Sequence, residues 1–263
     1  MPTRQRVYRT EAVVLRRHDL GEADRLTTVF SPQYGKLRLV AKGVRKPRSR
    51  KAGHLEPFTR VDLMAARGRE LDIITQAEAI DLYPQLQENL ERVGQAALIV
   101  ELLDRFTVDE REENRALYAL LVSTLTELNS GAAEPTAVVL YFQLRLFDLA
   151  GYRPDLFRCV GCAQAVQPLG QFFSPREGGI LCPSCGAKRK DVRRISLAAL
   201  KVLRHYQRSS FRSAVSPKVR PEVQREITEL IEDYLGHLLE RRLNAPAFLE
   251  HVRQATDHAP EPA

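Results

Sequence analysis

Tryptophan is absent from the 263 residues, and aromatic side chains make up 7% of them. A binder that reads single strands by stacking bases on many rings has little material here, which favours contacts to phosphates over base readout. No uninterrupted run of 18 apolar residues occurs, so no membrane span is expected. The opening MPTRQRVYRTE lacks the apolar stretch of a secretory leader, and the expected compartment is the cytoplasm. The phosphate-loop pattern GxxxxGK followed by Ser or Thr is missing, which leaves ATP hydrolysis without an evident site. The six histidines (18, 54, 205, 237, 251 and 258) form no HExxH or HxxxH pair. Asp62, Glu70 and Asp72 could mimic a metal-nuclease carboxylate set, but the lysine that usually accompanies one is missing. A non-enzymatic protein is expected.

Acidic residues are scarce at one end. Residues 1–51 hold 14 Lys or Arg against 4 Asp or Glu, while the chain as a whole carries a formal +7. Within Lys42–Lys51, six of ten residues are cationic and none is acidic. Such one-sided charge suits a surface that neutralises phosphates, although a solvated loop has the same composition. A second basic run, Lys188–Arg194, has five cations in seven residues.

The basic end also carries strand signals. Ala12–Leu15 and Leu37–Ala41 are apolar, Leu26–Phe30 is a mixed run of strand formers, and Ser31-Pro32-Gln33-Tyr34-Gly35 has the composition of a turn. The alternation Lys36-Leu37-Arg38-Leu39 sends cations to one face of a strand. Tyr8 and Tyr34 are the nearby rings. Phe58–Ala65 and Glu70–Thr75 complete roughly five short strands within about 80 residues, which suggests a small barrel of the OB type. From Ala77 the period becomes helical, through Leu82, Leu86, Leu90 and Val93 to Leu103. Leu117–Leu128, Ala137–Leu149, Ser196–Ser209 and Pro221–Leu243 read as further helices. Pro84–Gly151 holds 11 acidic and 5 basic residues, a poor surface for phosphates. It reads as a helical core with solvated acidic faces, or else as a groove for a partner peptide.

The helices are interrupted by Cys159-x2-Cys162-x19-Cys182-x2-Cys185. Two CxxC knuckles at this separation match a four-thiolate zinc site, because each supplies two sulfurs to a tetrahedron. Phe172–Phe173 and Ile180–Leu181 flank Gly178-Gly179 as a ribbon hairpin would, and Gly161 and Gly186 are expected to ease the knuckle backbone. A closed sulfur shell makes one structural Zn2+ the leading reading, with a lost or replaced metal and then redox thiols as the alternatives. The expected fold class is therefore α+β and multidomain: an N-terminal OB-fold β-barrel, then an all-α domain with an inserted four-cysteine zinc ribbon. The expected boundaries are 1–80, 81–156, 157–187 for the zinc element, 188–250, and a flexible tail at 251–263.

VVLRRHDLGEADRLTTVFSPQYGKLRLVAKGVRKPRSR, followed by LEPF, a helical region and the paired CxxC motifs, resembles the RecO family of recombination mediators. The resemblance covers nearly the whole chain. It implies binding to single- and double-stranded DNA, annealing of complementary strands, contact with the C-terminal tail of single-strand-binding protein, and action with RecR to load RecA near the nucleoid. Arg92, Arg105, Arg111, Arg115 and Arg145 are the cations available to an acidic tail in the helical region. The DNA-binding residues expected are Arg16, Arg17, Lys36, Arg38, Lys42, Arg45, Lys46, Arg48, Arg50 and Lys51, with Arg193 and Arg194 as a second contact. The rival readings are a zinc-ribbon protein–protein adaptor and an RNA or transcription factor with incidental DNA binding.

Overall fold

A computed structural model describes residues 6–108, 111–168 and 170–239, together with 243–246, 249 and 252. Apart from Val252, the expected tail lies outside these residues, as do positions 240–242 of the last expected helix. The chain divides into two compact units, one comprising residues up to Ser130 and from Ala245 onward, the other Gly131–Asn244.

The first unit is built on five strands: β1 (Val7–Leu20), β2 (Asp24–Ser31), β3 (Gly35–Ala41), β4 (Arg60–Ala66) and β5 (Asp72–Asp81). They close into a barrel in the order β1-β2-β3-β5-β4. Every pairing is antiparallel except the short parallel one at Leu39–Asp72 and Val40–Ile73. This is the five-stranded OB arrangement expected from the strand count. Alternate residues fill the interior, with Ala12, Val14, Val29, Leu37, Leu39, Val61, Leu63 and Ile74 among them. The expected turn at 31–35 is present, and Gly35 is required there twice over. Its φ is +56°, and a Cβ would lie 2.5 Å from the Glu112 carbonyl oxygen.

Two strands outrun the sequence reading. β1 continues through the polar Arg16–Leu20 because those residues pair with Asp24–Thr28 of β2. β5 continues to Asp81, so the helical period does not begin at Ala77. Ala79 pairs with Val61, Glu78 with Asp62 and Asp81 with Arg60. Alanine and glutamate are weak strand formers, but pairing with β4 overrides that preference.

Three helices of this unit follow the barrel: α1 (Pro84–Gln87), α2 (Leu90–Phe106) and α3 (Arg115–Ser130). The single helix expected over Leu82–Leu103 is broken at Asn89, whose side chain accepts the Arg92 N–H at 3.1 Å and caps α2. The C-terminus of α2 is finished from the barrel. Lys36 Nζ donates to the carbonyls of Asp104 (2.9 Å) and Thr107 (2.7 Å) and pairs with the Asp104 carboxylate at 3.1 Å. A cation among the last carbonyls of a helix satisfies orphan acceptors and complements the helix dipole. Lys36 does face outward on β3, as the alternation predicts, but its side chain is only 9% exposed beneath α2.

In the second unit α4 (Pro135–Leu149) starts under the Glu134 carboxylate, which accepts N–H groups from Thr136 and Ala137 at 3.0 and 2.8 Å. Then follow β6 (Gln171–Ser174), β7 (Gly179–Leu181), α5 (Pro183–Gly186), β8 (Arg193–Ile195), α6 (Leu197–Arg208), α7 (Phe211–Val215) and α8 (Pro221–Leu238). Tyr234 of α8 meets Phe147 and Phe173 edge-on, at centroid distances of 5.2 and 5.8 Å, and donates to the Tyr152 carbonyl at 2.7 Å. These ring contacts seat the cysteine-bearing ribbon on α4 and α8.

Replacing Lys36 by Met leaves the largely buried Asp104 carboxylate with the looser Arg16 contact and removes the donor to the Asp104 and Thr107 carbonyls, so Lys36→Met is expected to cost about 3 kcal/mol of stability. Urea unfolding should show that loss while oligonucleotide affinity in the folded protein barely changes. The reverse pattern would make Lys36 a ligand contact.

Candidate nucleic-acid interface and metal centre

The outer face of β1, β2 and β3 can be read in rows from the strand register. The first row, Val13–Phe30–Lys36, is buried. The second row is Arg16–Thr28–Arg38, two arginines separated by one small residue. It exists because the register shifts between Val14 and Arg16, so that Leu15 and Arg16 together oppose Thr28 in a β-bulge. Leu15 is buried, whereas Arg16 is exposed and holds the Asp104 carboxylate loosely, at 3.4 Å. Arg38 is exposed and has no carboxylate partner among the described residues. The third row is His18–Leu26–Val40. Adjacent strands lie about 4.8 Å apart, so the two arginines are spaced by about 10 Å across the face.

Below this face runs the β3–β4 connection, which contains the whole basic stretch. It is anchored at both ends. The Asp24 carboxylate accepts the Gly43 N–H at 2.7 Å, and Arg45 donates to the Gly21 carbonyl at 3.0 Å. Lys51 Nζ donates to the carbonyls of Lys42 (3.2 Å) and Ile74 (3.0 Å), and burial lowers its pKa. His54 Nδ1 accepts the Ala79 N–H at 3.0 Å, tying a short 3-10 turn to β5. Between these anchors Lys46, Arg48 and Arg50 are exposed, as is Lys42 beside them.

The ten N-terminal cations therefore fall into two groups. Arg17 pairs with Glu56, Arg45 with Asp19 at 3.4 Å, Arg16 and Lys36 with Asp104, and Lys51 with backbone carbonyls. Arg38, Lys42, Lys46, Arg48 and Arg50 have no carboxylate partner among the described residues. Sequence reasoning overlooked Arg67 and Arg69 in the β4–β5 turn, also exposed. Tyr8 and Tyr34 are not stacking platforms. Tyr8 is buried, donates to Asp72 at 2.7 Å and packs on Tyr34 at 4.9 Å between centroids.

The four cysteines converge as their spacing implies. Their sulfur atoms all lie within 4.8 Å of one another, and Cys162 Sγ is 3.9 Å from Cys182 Sγ. A tetrahedral ion with bonds of about 2.3 Å separates its sulfurs by about 3.8 Å, so the set fits one metal ion. Burial pushes the Cys159 thiol up, but N–H groups of Cys182, Cys162 and Gly161 outweigh it and bring the pKa down to about 6. The Cys182 thiol, then burial, push Cys185 up to about 12. Four thiolates this close need a cation among them. The hairpin Phe172–Leu181 and Phe173–Ile180 forms as expected, and a third strand, β8, pairs Arg194 with Phe172. Gly161 and Gly186 provide room rather than unusual torsions: neither has a positive φ. A Cβ on Gly186 would lie 2.2 Å from Phe172 Cδ2, and one on Gly161 would lie 3.2 Å from Cys185 Sγ.

Other expected site residues are dispersed or engaged. Arg193 pairs with Glu229 at 2.9 Å and Asp233 at 2.5 Å, while Arg194 lies 5.8 Å from the Phe172 ring centroid. Arg105, Arg111, Arg115 and Arg145 each have a carboxylate, respectively Glu101, Asp72, Glu113 and Asp148, and Arg92 meets the Asn129 carbonyl. Asp62 is taken by Arg9, and Asp72 is held by Tyr8, Gly68 and Arg111, which together keep its pKa low despite burial. Among the described residues the four cysteines form the metal-capable cluster, and no carboxylate set joins them.

A five-stranded OB barrel with a helical unit that carries a four-thiol centre defines the class of protein. A family model described as Recombination protein O N terminal matches residues 5–83, and one described as Recombination protein O C terminal matches 87–247. The protein named DNA repair protein RecO from Roseiflexus sp. (strain RS-1) is 43% identical over 251 residues, covering 95% of this chain and 88% of that protein. Proteins of the same name from Pelotomaculum thermopropionicum and Desulforamulus reducens are 37% and 35% identical, covering 95% and 94% of this chain and 96% and 95% of theirs. The chain belongs to the recombination protein O family.

Because Gly186 packs against Phe172, Gly186→Ala is expected to overpack the ribbon and cost about 1–3 kcal/mol. A lowered melting temperature with unchanged Cys→metal stoichiometry checks it, and an unchanged melting temperature would contradict it.

Proposed function

We propose that this protein is a DNA repair and recombination mediator that acts without catalysing a covalent step. It binds single- and double-stranded DNA, anneals complementary strands and, with RecR and single-strand-binding protein, helps load RecA in the nucleoid-containing cytoplasm. The observation that carries the reading is the set of cations with no carboxylate partner among the described residues, Arg38, Lys42, Lys46, Arg48 and Arg50, with Arg16 across one residue from Arg38. They lie on and beside the β2–β3 face, where OB folds take oligonucleotides. The protein partners follow from the family resemblance.

The chemistry is electrostatic. Lysine and arginine side chains displace counterions from phosphates, and the scarcity of free rings leaves bases unstacked and able to pair. Two strands held by one molecule repel each other less and meet at a raised effective concentration. Cys159, Cys162, Cys182 and Cys185 would hold one Zn2+, whose closed sulfur shell supplies folding energy to the ribbon and offers no open position to water.

Freshly prepared reduced protein is expected to contain one zinc per chain, and each Cys→Ser substitution should lower stability more than DNA affinity. Elemental analysis finding no metal would reject that assignment. Reversing Lys46, Arg48 and Arg50 to Glu should weaken single-strand and duplex binding together and slow annealing. Each lost contact should flatten the log–log salt dependence by about 0.7 for single strands. Thermal stability should hardly move, since exposed cations contribute little to it. An unchanged affinity and salt slope would mean the stretch is only a solvated loop.

A further inference from the structure

We infer that the second unit carries its own site for a nucleic-acid backbone, formed by Arg204 and Arg208 of α6 over the ring of Phe157. The inference rests on the proposed DNA function but uses none of the residues named for it above.

α6 buries Ala199, Leu200, Leu203, Tyr206 and Gln207 and contains no Asp or Glu. Lys201, Arg204 and Arg208 fall on another face at three- and four-residue spacing. The guanidinium carbon of Arg208 is 3.9 Å from the Phe157 centroid, and that of Arg204 is 5.0 Å away. The group is held in place rather than merely nearby. Arg204 Nε donates to the Leu156 carbonyl at 2.8 Å, and Gln207 Nε2 donates to the Pro154 carbonyl at 2.9 Å. The adjacent carboxylate, Asp155, accepts the N–H groups of Phe157 and Arg158, both at 2.9 Å.

What needs explaining is the missing counter-charge. Arg145, Arg153, Arg189 and Arg193 of this unit each have a carboxylate within 3.5 Å. Among the described residues Arg204 and Arg208 have none; Arg176, Arg194, Arg212 and Arg225 also lack one, but only Arg204 and Arg208 are gathered over one ring, a helical turn apart. Like charges four residues apart disfavour a helix, and burial and then the charge of Arg208 both lower the pKa of Arg204. An external anion relieves that repulsion. A guanidinium stacked on a ring keeps its N–H edges free, in the fork that takes two phosphate oxygens. The ring is occupied by these cations, so it offers bases little surface, and Leu200, Leu203 and Tyr206 of α6 are buried and out of reach of a peptide's side chains. Backbone phosphates fit best. A polyanion site on each unit would let one chain hold two strands, as annealing requires.

The test uses the full-length chain and labelled oligothymidylate across a salt series, comparing wild type, Lys46→Glu/Arg48→Glu/Arg50→Glu, Arg208→Gln, Arg204→Gln/Arg208→Gln, and all five changes together. Arg204→Gln/Arg208→Gln is expected to flatten the slope by about 1.4 and Arg208→Gln by about 0.7. Both should slow annealing, and the five changes together should abolish the binding that survives the triple reversal. If the double variant folds poorly, the exposed Arg208→Gln alone decides. Unchanged slope and annealing in a folded Arg208→Gln protein, with the triple reversal still harmful, overturns this site and leaves the barrel reading intact. A silent triple reversal with a harmful arginine pair does the opposite. Polyglutamate binding lost in the pair variants while oligothymidylate binding persists would reassign the site to an acidic peptide.

Discussion

The ammonium of Lys36 is the interaction on which the first unit depends. It reaches from the outside of β3 into the last turn of α2, where it meets two carbonyls and the Asp104 carboxylate. The same carboxylate reaches Arg16 on the next row. One ion pair thus fixes a helix against the barrel and marks where the covered part of the β1–β3 face ends. Glu11 adds a second tie, accepting from Tyr118 of α3 and Arg60 of β4 at 2.6 Å each. What stays open beyond Lys36 is narrow, cationic and short of carboxylates.

Charge in this protein is therefore sorted by partnership more than by position. A net count attributes the whole N-terminal excess to one surface. Side chains divide it into residues that hold the fold, such as Lys36, Arg17 and Lys51, and exposed residues that meet no carboxylate among the described residues, such as Arg38 and Lys46. Exposed ion pairs contribute little to stability. Their consequence here is that they consume cations that a composition argument would assign to DNA.

The four-cysteine centre was legible almost completely, because metal spacing is local and each knuckle is one turn long. The barrel was legible in its strand count and alternation. Its edges were not, since Arg16–Leu20 and Ala77–Asp81 are strands only through partners far along the chain. The sequence suggests Arg193 as a second DNA contact, and its ion pairs are not legible there, because Glu229 and Asp233 belong to α8, which no local pattern links to β8. The Phe157–Arg208 stack was invisible for the same reason. A period of three or four shows that Arg204 and Arg208 share a face, but it does not show which ring they cover.

The bulge at Leu15 has a consequence for how this family can vary in length. Leu15 is the extra residue opposite Thr28, so a chain without it could still pair Arg16 with Thr28 and keep the arginine row. A residue gained or lost elsewhere in β1 would turn the strand over and carry its cations to the other side of the sheet. In this strand Leu15 is thus a residue whose loss would leave the cationic surface as it stands.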